Sequence, residues 1–200
     1  YRWVGPLGEM YIWIKPEDWQ TDGNFNRDTR YGDKITCENP NWVVMGEVVA
    51  SLAAASIVFR KADYQYHVKL LKHAEELYRF ANDCAVNSLM DDEAISPSAE
   101  EPAWAAAWLY RATNQTKYLL EAKNINETYD VSSEPYVCET GSRAGGVQTL
   151  LAQITKEKQY LDQVENFCNY YIRNHTKTPK GLLHLRDYQT LPRAANLAFL

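Results

Sequence analysis

One pattern constrains this chain more than any other: an alanine-rich apolar stretch, a break of one to three residues, then a charged amphipathic stretch, three times over. The first copy runs Gly46 to Arg60, breaks at Lys61-Ala62-Asp63 and resumes as Tyr64 to Asp83. The second runs Glu101 to Thr113, breaks at Asn114 and continues from Gln115 to about Asn126; the third runs Gly146 to Thr155, breaks at Lys156 and continues from Glu157 to about Asn174. Ile57-Val58-Phe59-Arg60, Trp108-Leu109-Tyr110-Arg111 and Leu151-Ala152-Gln153-Ile154 take equivalent places, as do Asp63–Tyr66, Gln115–Tyr118 and Glu157–Tyr160. In Tyr64–Asp83, Val68, Leu71, Leu77, Tyr78 and Ala81 recur at helical spacing while Lys69, Lys72, Glu75, Glu76 and Arg79 take the other positions. A helix that is apolar on nearly all sides must be buried, and one with a charged face can stand outside it. The expectation is an all-α fold of antiparallel helical hairpins in an inner and an outer layer. A spacing near 45 residues fits a closed ring or an open solenoid equally well. The long connections, Cys84–Glu100 and Tyr129–Arg143, fall at one rim, where binding surfaces are commonly built.

Charge excludes one class of partner. The net charge is -5, with 21 basic residues scattered among 26 acidic ones, so there is no basic patch for nucleic acid. No uninterrupted apolar run approaches the roughly 18 residues of a membrane span. The stretch up to about Asn41 lacks helical periodicity and is rich in Gly, Pro, Asn and Asp, which predicts a long loop with turns. Cys37, Cys84, Cys138 and Cys168 stand far apart, either as free core thiols or as disulfide partners, and no Cys-x-x-Cys pair suggests zinc. Nor do His67, His73, His175 and His184 show metal-ligand spacing. Asn114, Asn126 and Asn174 open Asn-x-Ser/Thr triplets, the acceptor signal of a secreted protein. The absence of an initiator Met and the stop inside Ala195-Asn196-Leu197-Ala198-Phe199-Leu200 suggest an internal piece cut at both ends.

Several segments, in order, resemble the catalytic domain of family 9 glycoside hydrolases. Trp13-Ile14-Lys15-Pro16-Glu17-Asp18 is similar to the family's Trp-Gly-Arg-Pro-Glu-Asp loop, and Met45-Gly46-Glu47 with Ser51–Ser56 to its Ala-Gly-Glu helix. Trp104-Ala105-Ala106-Ala107-Trp108-Leu109-Tyr110-Arg111-Ala112-Thr113 matches almost letter for letter. Gly146-Val147-Gln148, Thr178–Leu183 and Ala194-Ala195-Asn196 follow in the family's order. The resemblance implies one catalytic domain spanning 1–200 in part, folded as part of an (α/α)6 barrel with a cellulose-binding cleft across one end. It implies an inverting reaction, in which a carboxylic acid protonates the leaving oxygen and an opposed carboxylate activates water. The family's base lies in an Asp-Ala-Gly-Asp segment upstream of the matched region and its acid, a Glu, downstream, so no catalytic residue is assigned within this chain. The runs Asp91-Asp92-Glu93 and Glu100-Glu101 cannot replace them, because neighbours in a run do not provide an opposed separation of roughly 6.5–9.5 Å.

For substrate, the resemblance implies a β-1,4-glucan stacked on aromatic platforms, with Trp13, Tyr136 and Tyr188 as the binding candidates. Other cleft positions depart from the family: Met10 stands for a His, Pro192 for an Arg, and no aromatic remains near Asp92 and Ile95. Ser96, Glu100 and Glu101 fall on a loop that holds a structural calcium in some members, although Gly141 stands where a further Asp would be; no other cofactor is implied. Trp104, Trp108 and Tyr110 fit helix packing better than ligand contact, and Glu47 requires a partner inside an apolar helix. Three functions are consistent with these residues: a segment of a secreted endoglucanase, inactive alone; a non-catalytic carbohydrate-binding relative; and a helical-repeat interaction protein.

Overall fold

The computed structural model describes residues 10–16, 30–37, 41–88, 100–131, 143–185 and 190–199. Two strands, β1 (Met10–Pro16) and β2 (Arg30–Ile35), precede seven helices: α1 (Trp42–Phe59), α2 (Tyr64–Ser88), α3 (Glu100–Thr113), α4 (Thr116–Thr128), α5 (Ala144–Thr155), α6 (Lys158–Asn174) and α7 (Thr190–Phe199). The helical body has the expected all-α class. The stretch before Asn41, expected as loop, instead contains an antiparallel pair, with Met10 opposite Ile35 and Pro16 opposite Arg30. Its register shifts between Tyr11 and Ile14, which interrupts the strict alternation by which a strand is recognised in sequence.

Helix α1 begins four residues before the expected Gly46, because the Asn41 side chain caps it by accepting a hydrogen bond from the Val44 amide at 3.0 Å. Helix α2 runs past Asp83 to Ser88. Its Cys84 is joined to Cys37, which ties the segment after β2 to the end of the second helix; Cys168, in α6, is a free thiol. The two cysteine states left open by sequence are therefore both present.

The hairpin repeat holds at the level of single atoms. Thr113 Oγ1 donates to the Leu109 carbonyl at 2.7 Å and accepts from the Gln115 amide at 3.1 Å; Thr155 does the same with Leu151 and Glu157 at 2.8 and 3.1 Å. The residue between is left-handed in both copies, Asn114 at φ 58 and Lys156 at φ 60. These turns equate Leu109 with Leu151, so the expected match of Trp108 to Leu151 slips by one position. The outer helices repeat as well: Tyr118 donates to Glu75 of α2 at 2.9 Å, and Tyr160 to Glu127 of α4 at 3.5 Å. Each phenol is pushed up by burial and then by its carboxylate partners, that of Tyr160 to about 12.

The inner layer is α1, α3 and α5, with α2, α4 and α6 packed outside them. Its core is built on small residues: Ala50, Ala53, Ala103, Ala105, Ala106, Ala107, Ala144 and Ala152 are all buried. Glycines bring the inner helices closer still. A Cβ on Gly46 would lie 2.8 Å from the Glu101 carbonyl oxygen, and one on Gly146 would lie 2.7 Å from Trp104 Cζ3. Helix α1, 18 residues with a mean hydropathy of 1.9, is long and apolar enough by length and composition to cross a membrane, without being an uninterrupted apolar run. Gly46, Glu47, Ser51 and Ser56 interrupt its apolar run, and its packing on α2 and α3 accounts for its composition.

Candidate functional site

Hairpin geometry fixes where a site can be. The turns at 60–63, 114–115 and 156–157 close one end of the layers, so the segments leading into α1, α3 and α5 emerge at the other. The N-termini of the inner helices form this second rim. Their unpaired backbone amides and positive dipole ends face it, a setting that favours acceptor groups.

Two polar arrangements are built into the rim. Arg143, at the N-cap of α5, forms an ion pair with Glu47 of α1. This supplies the partner that Glu47 required. Arg143 was not singled out in sequence, since a partner 96 positions away leaves no local signal. Burial lowers the Arg143 pKa, but a guanidinium has ample margin to stay charged. Below the surface, Gln148 Nε2 of α5 donates to Asn126 Oδ1 of α4 at 2.6 Å. Asn126 is only 3% exposed, so the expected glycan acceptor there is corrected: its amide is a packed interior group. Asn114 and Asn174 are exposed.

Glu101 is the most unusual charge-bearing group. It lies in the first turn of α3, is 1% exposed, and its Oε2 has no hydrogen-bond partner. Burial, and secondarily the neighbouring Glu100, raise its carboxyl to about 8. An orphaned carboxylate oxygen beside a second acid is a donor set suited to a hard cation such as calcium. Among the described residues no group of three or more His, Cys, Asp or Glu could hold a metal, so further donors would have to come from outside them. Ser96, Tyr136 and Tyr188 lie outside the described residues. Trp13 lies in β1, within the register shift that separates Tyr11 from Ile14. On α3, Trp104 and Trp108 meet edge to face at 5.7 Å, Trp104 against Gly146 and Trp108 under the Arg111 guanidinium. Both are packing residues, as their spacing predicts.

Comparison with known proteins gives the rim its context. The Glycosyl hydrolase family 9 profile matches residues 4–200. Endoglucanase A of Bacillus pumilus is 34% identical over 184 residues, covering 84% of this chain and 28% of that protein. Endoglucanase 19 of Arabidopsis thaliana is 32% identical over 215 residues, covering 96% and 33%. This chain therefore spans about a third of the length of these relatives. The endoglucanase structure from the termite Nasutitermes takasagoensis superposes with a TM-score of 0.79 at 37% identity, over 96% of this chain and 46% of that one. The cellulase Cel9M of C. cellulolyticum follows with a TM-score of 0.73 at 26% identity, over 94% and 43%. These neighbours are (α/α)6 barrels, and the paired layers seen here are an arc of that ring. Fold, motif order and family match agree: the chain belongs to glycosyl hydrolase family 9.

Proposed function

We propose that this chain is part of the catalytic domain of an extracellular endoglucanase that hydrolyses internal β-1,4-glucosidic bonds with inversion, and that residues 1–200 by themselves bind glucan weakly without cleaving it. The observation that carries the proposal is the superposition on the termite endoglucanase over 96% of the chain. Cellobiose and cellotriose complexes of two related cellulases support glucan as the ligand class. The Cys37–Cys84 disulfide supports an oxidising, extracellular setting.

Trp13, Tyr136 and Tyr188 provide the stacking faces in this proposal. The Glu47–Arg143 pair ties α1 to the start of α5. Glu100 and Glu101, with Ser96, would hold a structural calcium, which would neutralise the buried carboxyl and fix the start of α3. Stacking without a positioned acid and base stabilises substrate and transition state alike, so the isolated chain gains affinity but no rate.

The departures at Met10 and Pro192 favour a second proposal, a non-catalytic carbohydrate-binding relative. One experiment addresses both. The chain and a Trp13→Ala variant are incubated with soluble β-1,4-glucan, following tryptophan emission and new reducing ends. Glucan-dependent quenching that weakens in the variant, with no new ends, is the expected result. Reproducible hydrolysis after repurification would overturn the claim that the chain alone is inactive. Restoring the flanking carboxylates and then finding no turnover would favour the second proposal.

A further inference from the structure

A two-stranded antiparallel pair is marginal by itself and keeps a fixed place only where something anchors it. The β1–β2 pair, which carries Trp13, packs mainly on itself. It meets the helical body at one end. Ile35 closes β2, is 2% exposed and belongs to the helical core, and two residues later Cys37 is bonded to Cys84 of α2. These anchors stand at the rim. Cys84 lies 20 residues along α2 from Tyr64, a rise of about 30 Å, and the 18 residues of α1 rise about 27 Å from Phe59 back to Trp42, so Cys84 is level with the start of α1. Met10 is opposite Ile35 and Pro16 opposite Arg30, so the strands run away from this anchored end with Trp13 between.

The bond shortens the leash on which the pair is held. Along the backbone, Ile35 is six residues from Asn41, the cap of α1, and a chain of that length reaches about 20 Å; from the bonded Cys37 it is two residues, about 7 Å. The volume open to the end of β2 therefore grows about twentyfold when the bond is removed, and the effective concentration of the pair at the rim falls with it. Burial of one isoleucine then has to offset the ordering of the whole connection, which leaves docking near balance. We propose that the Cys37–Cys84 disulfide is a positioning element for glucan binding: it pins the β1–β2 pair at the rim and so keeps Trp13 in place for a sugar ring. The helical body stands without the bond, and the placement of the pair does not. This role rests on the glucan reading given above, since the bond acts through Trp13. An apparent Kd is the intrinsic value divided by the competent fraction, so a placed fraction of about a tenth to a third weakens binding about three- to tenfold.

The test is a double-mutant cycle on the Kd for cellotetraose, measured by NMR titration of the native chain, Cys37→Ser, Trp13→Ala and the double variant, each well below its melting temperature. Amide hydrogen exchange is followed on the same samples. Cys37→Ser is expected to weaken binding about three- to tenfold in the native background and less than about 1.5-fold beside Trp13→Ala. It should also speed exchange of the β1–β2 amides by about the same three- to tenfold, while the amides of α3–α6 keep their rates. Cys84→Ala leaves no lone buried thiol and should reproduce both effects, with native helical circular dichroism in each variant. A native Kd in Cys37→Ser overturns the proposal. So does an equal loss beside Trp13→Ala, which would route the effect elsewhere, and so does loss of the helical signal in both cysteine variants, which would make the bond a requirement of the whole fold. Failure of the glucan reading is a separate result: the native chain then has no affinity for cellotetraose, whereas failure of the positioning role leaves that affinity in place.

Discussion

Replacing Gly46 by alanine tests the central packing contact, the approach of α1 to α3. The new methyl would meet the Glu101 carbonyl oxygen at 2.8 Å, its Cβ at 2.9 Å and its carbonyl carbon at 3.0 Å, where ordinary contact begins near 3.4 Å. All three atoms belong to or adjoin backbone, so no side-chain rotation relieves them. Helix α3 would have to retreat by about half an ångström, and on its other side Trp104 already bears on Gly146 of α5. Overpacking of this kind costs about 1–3 kcal/mol, with the confinement from both sides placing it toward the upper end. Removing a glycine from a helix interior returns about 1 kcal/mol. The net expectation is a loss of about 1–2 kcal/mol, a fall in Tm of roughly 2–8 °C for a chain of this size. Ser51→Ala, at an exposed position of the same helix, is the control for helix propensity and should be neutral or slightly stabilising. Urea and thermal melts of the three proteins decide the matter. A Gly46→Ala protein as stable as the native one would show that the inner helices are not held at this contact.

Glu101 gives a pH prediction. Its folded pKa, about 8, lies above the ordinary 4.5, so its favourable contribution is complete below about pH 4.5 and is lost as pH rises through 8. The loss at alkaline pH amounts to a few kcal/mol. Urea midpoints in chelator should fall between pH 5 and 9 in the native chain and much less in Glu101→Gln; parallel slopes would contradict this. Calcium should restore the native midpoint at pH 9 and leave the variant unmoved, and equal responses would remove Glu101 from the ligand set. For the Cys37–Cys84 link, which closes a separation of 47 residues, Cys37→Ser should cost about 2–4 kcal/mol. Reductant should lower the native Tm toward that of the variant, and an unchanged melt would place the bond outside the folding unit.

The helical layers were legible because each hairpin repeats one physical contrast, apolar all round and then apolar on one side. What sequence could not register was detail carried by single side chains. Asn41 extends α1 by one turn through a cap, although Pro40-Asn41-Trp42 reads as the end of a loop. The second and third hairpins align on the threonine that ends α3 and α5 before a left-handed residue, one position away from where their apolar letters match. The β1–β2 pair was hidden for a related reason: its shifted register breaks the alternation that would mark it.

The rim divides along the same line. Glu101 stands out because two acids open an apolar helix, and Glu47 because a carboxylate among alanines needs compensation; both are local contradictions, which the structure answers for Glu47 with Arg143 and leaves as an unpartnered oxygen for Glu101. Arg143, the partner of Glu47, and Gln148, the partner of Asn126, are ordinary in their own neighbourhoods and distinctive only through the contacts α5 makes to α1 and α4. Asn126 shows the opposite error, since a triplet rule sees three letters and not the burial of that side chain in the last turn of α4. A rule about composition survives folding when the property it measures is averaged over a helix. A rule about one side chain survives only if that side chain's partner is also local.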